Sequence, residues 1–287
     1  MWLIALLIDG IVQGLQFSLL AVGLTLIFGL GGVLNLAHGQ FAVIAGMVTA
    51  LLLDQGLDPV PASAAGVLAT GLFGFLVDRS LLLPAYRYSG ETRLLLGLLL
   101  TLGLSFVIEG FLNYSVPYVA LSLHLPWPSV RPLGIPVRTA SIVVSLLAIL
   151  ALGALLLFLR RTPLGKAIRS IMQNEVGAAL CGIDPARMRT LIFTLGALLA
   201  GLVGITQGLF ASLGPEMGLE LTVFALIVTT VGGVRSIHGT IAAGVLLGIV
   251  HAFASFYIGA YVTFIILLAT AALTILWRPS GLLGYWT

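Results

Sequence analysis

Polar and apolar positions fall into long blocks along the chain. Residues 10–53, 59–77, 94–108, 110–130, 139–159, 190–215, 221–234 and 236–277 contain no Asp, Glu, Lys or Arg. Alternation of period two is absent from them, which argues against the strands of a membrane barrel. Backbone in lipid must satisfy its own N–H and C=O groups, so such runs predict helices. One crossing of a bilayer takes about 20 apolar residues, and the runs leave room for about eight or nine crossings. Runs 10–53 and 236–277 are each too long for one span. The first divides at 30–39 and the second near Ile258 and Gly259. Segments 40–53 and 220–235 are short and read as half-spans or re-entrant pieces.

Composition turns this pattern into a class. The 287 residues are 60% hydrophobic and only 8% charged, whereas soluble domains carry about 25% charged residues. Too few polar side chains exist to cover a water-facing surface. The expectation is an all-α polytopic membrane protein, one transmembrane domain over 1–287. It is a bundle of eight or nine transmembrane or re-entrant helices with a possible internal repeat. The N-terminus lacks a basic region and Asp9 interrupts its apolar run, so no cleavable secretory signal is expected. The single cysteine, Cys181, rules out an internal disulfide. A net charge of +3 says little about partners, and no nucleic-acid partner is expected.

Placement of positive charge sets orientation. Arg160, Arg161, Lys166, Arg169, Arg187 and Arg189 lie in 160–189, and Arg79, Arg87 and Arg93 in 79–93. The positive-inside rule puts both segments in the cytoplasm. The proline-rich segment 116–138 is then external, with Arg131 and Arg138 as mild exceptions. Arg278 puts the C-terminus inside. Nine full spans put the N-terminus outside, and eight put it inside.

The polar residues inside the blocks are the candidates for function. "GGVLNLAHG" at 31–39 is echoed by "GGVRSIHG" at 232–239. Paired glycines permit backbone that is not helical, which membranes tolerate only where protein or a water-filled cavity covers it. Transporters contain repeats whose broken helices meet near the midplane. On that reading Gly31, Gly32, Asn35, His38 and Gly39, with Gly232, Gly233, Ser236, His238 and Gly239, line or gate a solute path. On the other, both motifs are membrane-surface loops. Asp9, Gln13 and Gln16 share one face of the first helix, with Asp9 read as interfacial. Thr101, Ser105, Glu109 and Asn113 share a face of another. Glu109 reads either as a pathway residue or as one that reaches headgroup water. The small residues Ala197, Ala200, Gly201, Gly204 and Gly208, and the pair Gly244 and Gly248, predict close helix packing. No His-Glu-x-x-His helix involves His38, His124, His238 or His251, so neither a catalytic residue nor a metal site is expected. No Gly-x-x-x-x-Gly-Lys-Ser/Thr loop exists for a nucleotide: Lys166 follows Gly165 but precedes Ala167.

Segment 160–189 is the one long stretch of mixed charge. From Leu164 to Leu180 it predicts one amphipathic helix with Ala167, Ile168, Ile171, Met172, Val176, Ala179 and Leu180 on its apolar face. Such a helix suits either a motor subunit's grip or the membrane surface.

The same segment resembles the coupling loop of ABC importer permeases of the branched-chain amino acid type, the LivH-like family, which includes urea and amide permeases. The resemblance rests on Gly165, Ala167, Arg169, Gln173, Asn174, Ala178, Ala179, Gly182 and Ile183. It extends to "GLTLIFGLGGVLNLAHGQF", "FTLGALLAGLVG", "VGGVRSIHG" and "RPSGLLG", in order and over almost the whole chain. One departure is Arg235, where the family's motif usually has glycine. The resemblance implies a pore subunit without a cofactor of its own, in a bacterial-type inner membrane. It implies a second homologous permease, two cytoplasmic ATPases that bind ATP and Mg, and an extracytoplasmic solute-binding protein. The nine residues above would couple to the ATPases. Branched-chain amino acids are the expected solute, with urea or short amides as the alternative. An ATP-independent secondary transporter would need buried carboxylates, and only Glu109 and Asp9 are on offer. An intramembrane enzyme would need a nucleophile and base that the spans do not supply.

Overall fold

The computed structural model describes residues 2–117, 119–123, 137–278 and 281–282. His124, Arg131 and Pro126, Pro128, Pro132 and Pro136 lie outside the described residues, as does most of the C-terminal motif. Eleven α-helices follow one another: α1 Trp2–Gly31, α2 His38–Asp54, α3 Pro59–Ser80, α4 Gly90–Ser115, α5 Thr139–Arg161, α6 Pro163–Gln173, α7 Glu175–Leu180, α8 Pro185–Gly208, α9 Gly218–Gly232, α10 Ile237–Tyr257 and α11 Ala260–Trp277. Among the described residues eight helices are long and apolar enough to cross a membrane, with α9 extended by the 3-10 turn at Pro215–Met217. α2 is a shorter apolar helix. Both long runs therefore divide where the sequence predicts.

The centre of the bundle is α1, α2, α8, α9 and α10, while α4, α5 and α11 leave most of their surface exposed. α1 packs along α10 at very short range. A Cβ on Gly14 would stand 2.6 Å from Val245 Cα, and Gly248 faces Gly14 in turn. On α8, Gly204 sits on the backbone of Ala42 and Gly201 beside Thr70. Small residues thus serve helix approach, where lipid gives no hydrophobic drive to bring helices together.

Contacts at the two ends of α1 show which segments share each end of the bundle, with external and cytoplasmic named by the positive-inside rule. Asp9 stands 4.0 Å from Arg138, and Trp2 stacks on Phe256 at 5.8 Å, all at the external end. Gly32 lies beside Arg93 at the cytoplasmic end, and Leu282 N–H donates to Val231 O there. With the basic segments taken as cytoplasmic by the positive-inside rule, eight span-length helices together with α2 predict an external N-terminus.

The amphipathic stretch is not one helix. Asn174 adopts an extended conformation (φ −155°, ψ 105°) and separates α6 from α7. Its backbone N–H closes α6 on Ser170 O, and its side chain caps α7, accepting from Gly177 N–H at 2.9 Å. The break rotates the apolar face out of phase. Ile168 and Ile171 are buried, but Val176 and Leu180 are 70% and 85% exposed. The periodicity that joins them in sequence assumes an uninterrupted helix, and an asparagine side chain that competes for backbone N–H breaks that assumption.

Candidate functional site

The first glycine motif breaks the helical path, and side-chain hydroxyls bridge the break. After Gly31 the chain turns back at Gly32, whose φ of +60° suits glycine, and runs without helix from 32 to 37. It returns toward the midplane. His38, where α2 begins, lies level with Leu20, about 16 Å from the cytoplasmic end of α1 and so near the middle of a core about 30 Å thick. Three hydroxyl contacts replace the missing helical bonds. Thr101 of α4 accepts from Leu36 N–H at 2.9 Å and donates to Leu34 O at 3.1 Å. Thr222 of α9 donates to Leu36 O at 3.2 Å. Non-helical backbone survives here because protein covers it.

A second break mirrors the first from the other side. Residues 209–217 descend from the external end of α8, with Leu213 paired to Leu121. α9 then starts against α2, and the two helix N-termini meet. Gly39 N–H donates to Thr222 Oγ1 at 2.8 Å. A Cβ on Gly39 would collide with Gly218 O, so only glycine permits this approach.

The junction holds polar atoms that have no hydrogen-bond partner among the described residues. His38 is fully buried and its Nε2 contacts Leu20 O at 3.0 Å. A carbonyl only accepts, so Nε2 carries the proton and Nδ1 is a bare acceptor without a partner. Asn35 Oδ1 accepts from Ala37 N–H at 3.0 Å, while its Nδ2 has no acceptor. Both amide atoms of Gln40, which packs on Gly218, are unpaired as well. Within 35–40 the chain thus presents spare donors and spare acceptors, flanked by two helix N-termini that carry partial positive charge. The ring of Phe41 supplies an apolar neighbour, edge-on to Phe73 and Phe193 at 5.9 and 5.8 Å.

The structure separates the predicted pathway residues into three places. Gly31, Gly32, Asn35, His38 and Gly39 form the break. Glu109 is half-buried on α4, toward its external end, two turns beyond Thr101. Gly232, Gly233, Ser236, His238 and Gly239 make a tight turn at the cytoplasmic end. There Gly233 has φ +100°, Ser236 Oγ caps α10 by accepting from Gly239 N–H at 3.1 Å, and His238 meets Arg160 at 2.8 Å. The structural counterpart of the first break is 209–217, whose sequence carries no second Gly-Gly-Val. Gln40, Thr101 as a backbone ligand and Thr222 are members of the junction that sequence reasoning passed over. An amide in an uncharged run was the signal for Gln40; threonine is too common in spans to be one. At the external end Asp9, Gln13 and Gln16 line a pocket of about 210 Å³ with Gln207 and Arg138.

The cytoplasmic segment is anchored by charge. Thr162 caps α6, accepting from Gly165 N–H at 3.0 Å. Glu175, at the start of α7, is bound by Arg189 of α8 and lies 3.6 Å from Arg93 of α4. Arg189 stacks over Tyr86 at 4.9 Å, and the Tyr86 hydroxyl donates to Asp78 at 2.6 Å. Burial first, and then the charge of Asp78, push the Tyr86 phenol far above its usual range, so it stays a donor at every physiological pH. Of the residues singled out for coupling, Arg169, Gln173, Asn174, Ala179 and Gly182 are exposed, Ala167 and Ile183 are half-buried, and Gly165 and Ala178 are buried. None of the sequence patterns points to Glu175 or its partners.

Residues 6–277 match the family described as branched-chain amino acid transport system, permease component. The chain is 28% identical to the high-affinity branched-chain amino acid transport system permease protein BraD of Pseudomonas aeruginosa, over 97% of this chain and 94% of the relative. It is 27% identical to LivH of Escherichia coli K12, a protein of the same description, over 96% and 94%. A probable LivH permease of Methanocaldococcus jannaschii is 26% identical over 93% and 88%. No solved structure matches the chain.

Proposed function

The chain belongs to the family of branched-chain amino acid transport permeases, and from that premise we propose that it is the pore-forming subunit of an ATP-driven importer of branched-chain amino acids in a bacterial-type inner membrane. The observation that carries the reading is the midplane junction. Its unpaired groups are of both kinds: donors at Asn35 and Gln40, acceptors at His38 Nδ1 and Gln40 Oε1. A zwitterion needs donors for its carboxylate and acceptors for its ammonium, and half-helix N-termini are suited to a carboxylate. The aromatic cluster around Phe41 suits a branched apolar tail. Unpaired polar groups in the interior are unfavourable by about 1–3 kcal/mol each, which biases the junction toward opening around a polar solute.

The partners that complete this reading are a second homologous permease, two cytoplasmic ATPases and an extracytoplasmic solute-binding protein. The exposed Val176, Ala179 and Leu180 of α7 offer an apolar knob to an ATPase groove. The charged contacts of Glu175 would carry its displacement to α4 and α8, tipping the bundle between two arrangements. Exchanging both Arg169 and Asn174 for alanine should abolish uptake while folded protein persists; normal transport by that variant removes the coupling role.

The substrate is tested by uptake of labelled leucine in cells that hold the complete system, with this chain deleted and then restored, and with excess urea as competitor. Restored uptake that urea does not inhibit is the expected result. Absence of leucine uptake with every other subunit present overturns the substrate.

A further inference from the structure

Between the cytoplasmic ends of α5 and α10 lies a cavity of about 450 Å³ whose polar wall is Arg160, Arg169, Arg235 and His238. No lining residue is acidic. Arg160 spends one N–H on His238 Nε2 at 2.8 Å, which leaves the ring's Nδ1–H as a further donor. The guanidinium groups of Arg169 and Arg235 have no partner among the described residues. Three guanidinium groups lining one cavity with no acidic residue in its wall suit an anion with several acceptor oxygens, such as a phosphate.

A second feature identifies the rest of the ligand. The cavity shares Leu156 and His238 with an apolar groove of about 600 Å³ that continues along α10 past Ile241, Ala242, Val245 and Ile249. From His238 to Ile249 the groove is about 16 Å long, close to the depth of one leaflet's hydrocarbon. A basic pocket at the cytoplasmic boundary opening onto a leaflet-deep apolar groove matches a molecule with an anionic head and an acyl chain. We propose that this is a binding site for an anionic phospholipid of the cytoplasmic leaflet, its phosphate among the three arginines and one acyl chain along α10. Because Arg169 belongs to α6, the bound lipid ties the cytoplasmic segment to the membrane.

The test is native mass spectrometry of the detergent-purified transporter complex titrated with phosphatidylglycerol, and separately with phosphatidylcholine of the same acyl chains. Phosphatidylglycerol should bind preferentially. R160Q/R235Q should weaken it about thirtyfold, from about 1 kcal/mol per arginine near an anionic surface, without changing phosphatidylcholine. Ala242→Trp, which fills the groove and alters no charge, should weaken it too; it carries the test alone if the double variant loses its thermal transition. Glycerol phosphate at millimolar concentration should not compete. Equal binding of the two lipids, or unchanged affinity in the variants, overturns the site. Glycerol phosphate binding as tightly as the lipid replaces it with a soluble-anion pocket. Efficient cross-linking of Ala242→Cys to the partner permease in the assembled complex shows a subunit interface instead.

Discussion

His38 holds its imidazole by one nitrogen and leaves the other idle, and that asymmetry separates what stabilises the junction from what could serve a solute. Gln40 offers the cleanest separation, since neither of its amide atoms is bonded. Gln40→Leu replaces an unsatisfied amide with an apolar group of similar size. It should raise stability by about 1–2 kcal/mol and the melting temperature by about 2–8 °C, while leucine uptake falls tenfold or more, a ratio of about 1.4 kcal/mol. A melting temperature that drops would mean that the amide is satisfied in the folded protein. Gly39→Ala should act in the opposite sense. Its methyl would meet the backbone oxygen of Gly218, which cannot retreat as a flexible side chain would, so about 1–3 kcal/mol of overpacking is expected, read as loss of folded protein in membranes. Asn35 and His38 were legible because polar residues inside an apolar run are expensive and few. Their hydroxyl partners were not, because a threonine's role is set by what lies across the bundle.

Between residue and bundle stand the elements, and the cytoplasmic pair α6 and α7 shows where a pattern misleads. Hydrophobic spacing located the segment and its apolar residues, yet one side-chain cap at Asn174 reassigned half of them from the interior to the surface. Asn174→Ala removes that cap and favours a continuous helix. It should turn Val176 and Leu180 inward, weakening co-purification of the ATPase subunits while the permease itself remains in the membrane. Glu175→Gln should cut uptake by about tenfold, the size of a coupling change of 1–2 kcal/mol, because Arg93 and Arg189 lose the charge that joins them. Retained uptake would show that the ion pairs only brace the loop. Elements inside the membrane were easier to read. Most long uncharged runs became one helix or two, because lipid allows the backbone few alternatives; the exception is 110–130, where α4 ends at Ser115.

Across the whole molecule, charge placement and helix count agree on an external N-terminus and a cytoplasmic C-terminus. Cys181 is the natural probe. It is exposed on the cytoplasmic side, so a membrane-impermeant thiol reagent should label it in inverted vesicles and not in intact cells. Gly56→Cys, in a chain whose own cysteine is replaced by serine, should give the reverse. Labelling of both from one side would overturn the topology. What the sequence could not display is the meeting of α2 and α9, since contacts between distant segments leave no local periodicity. That meeting also has a history within the growing chain. The first peptide groups of α2 are bonded through Thr222, which lies 183 positions after Gly39. Until synthesis reaches α9, a half-length helix must wait in or beside the bilayer with its polar end uncovered. Ribosome-bound chains that stop before residue 218 should therefore hold α2 in a protease-sensitive state that chains extended past residue 232 have lost. The seam between α2 and α9 therefore closes late, after α3 to α8 have been made and before α10 and α11 are added.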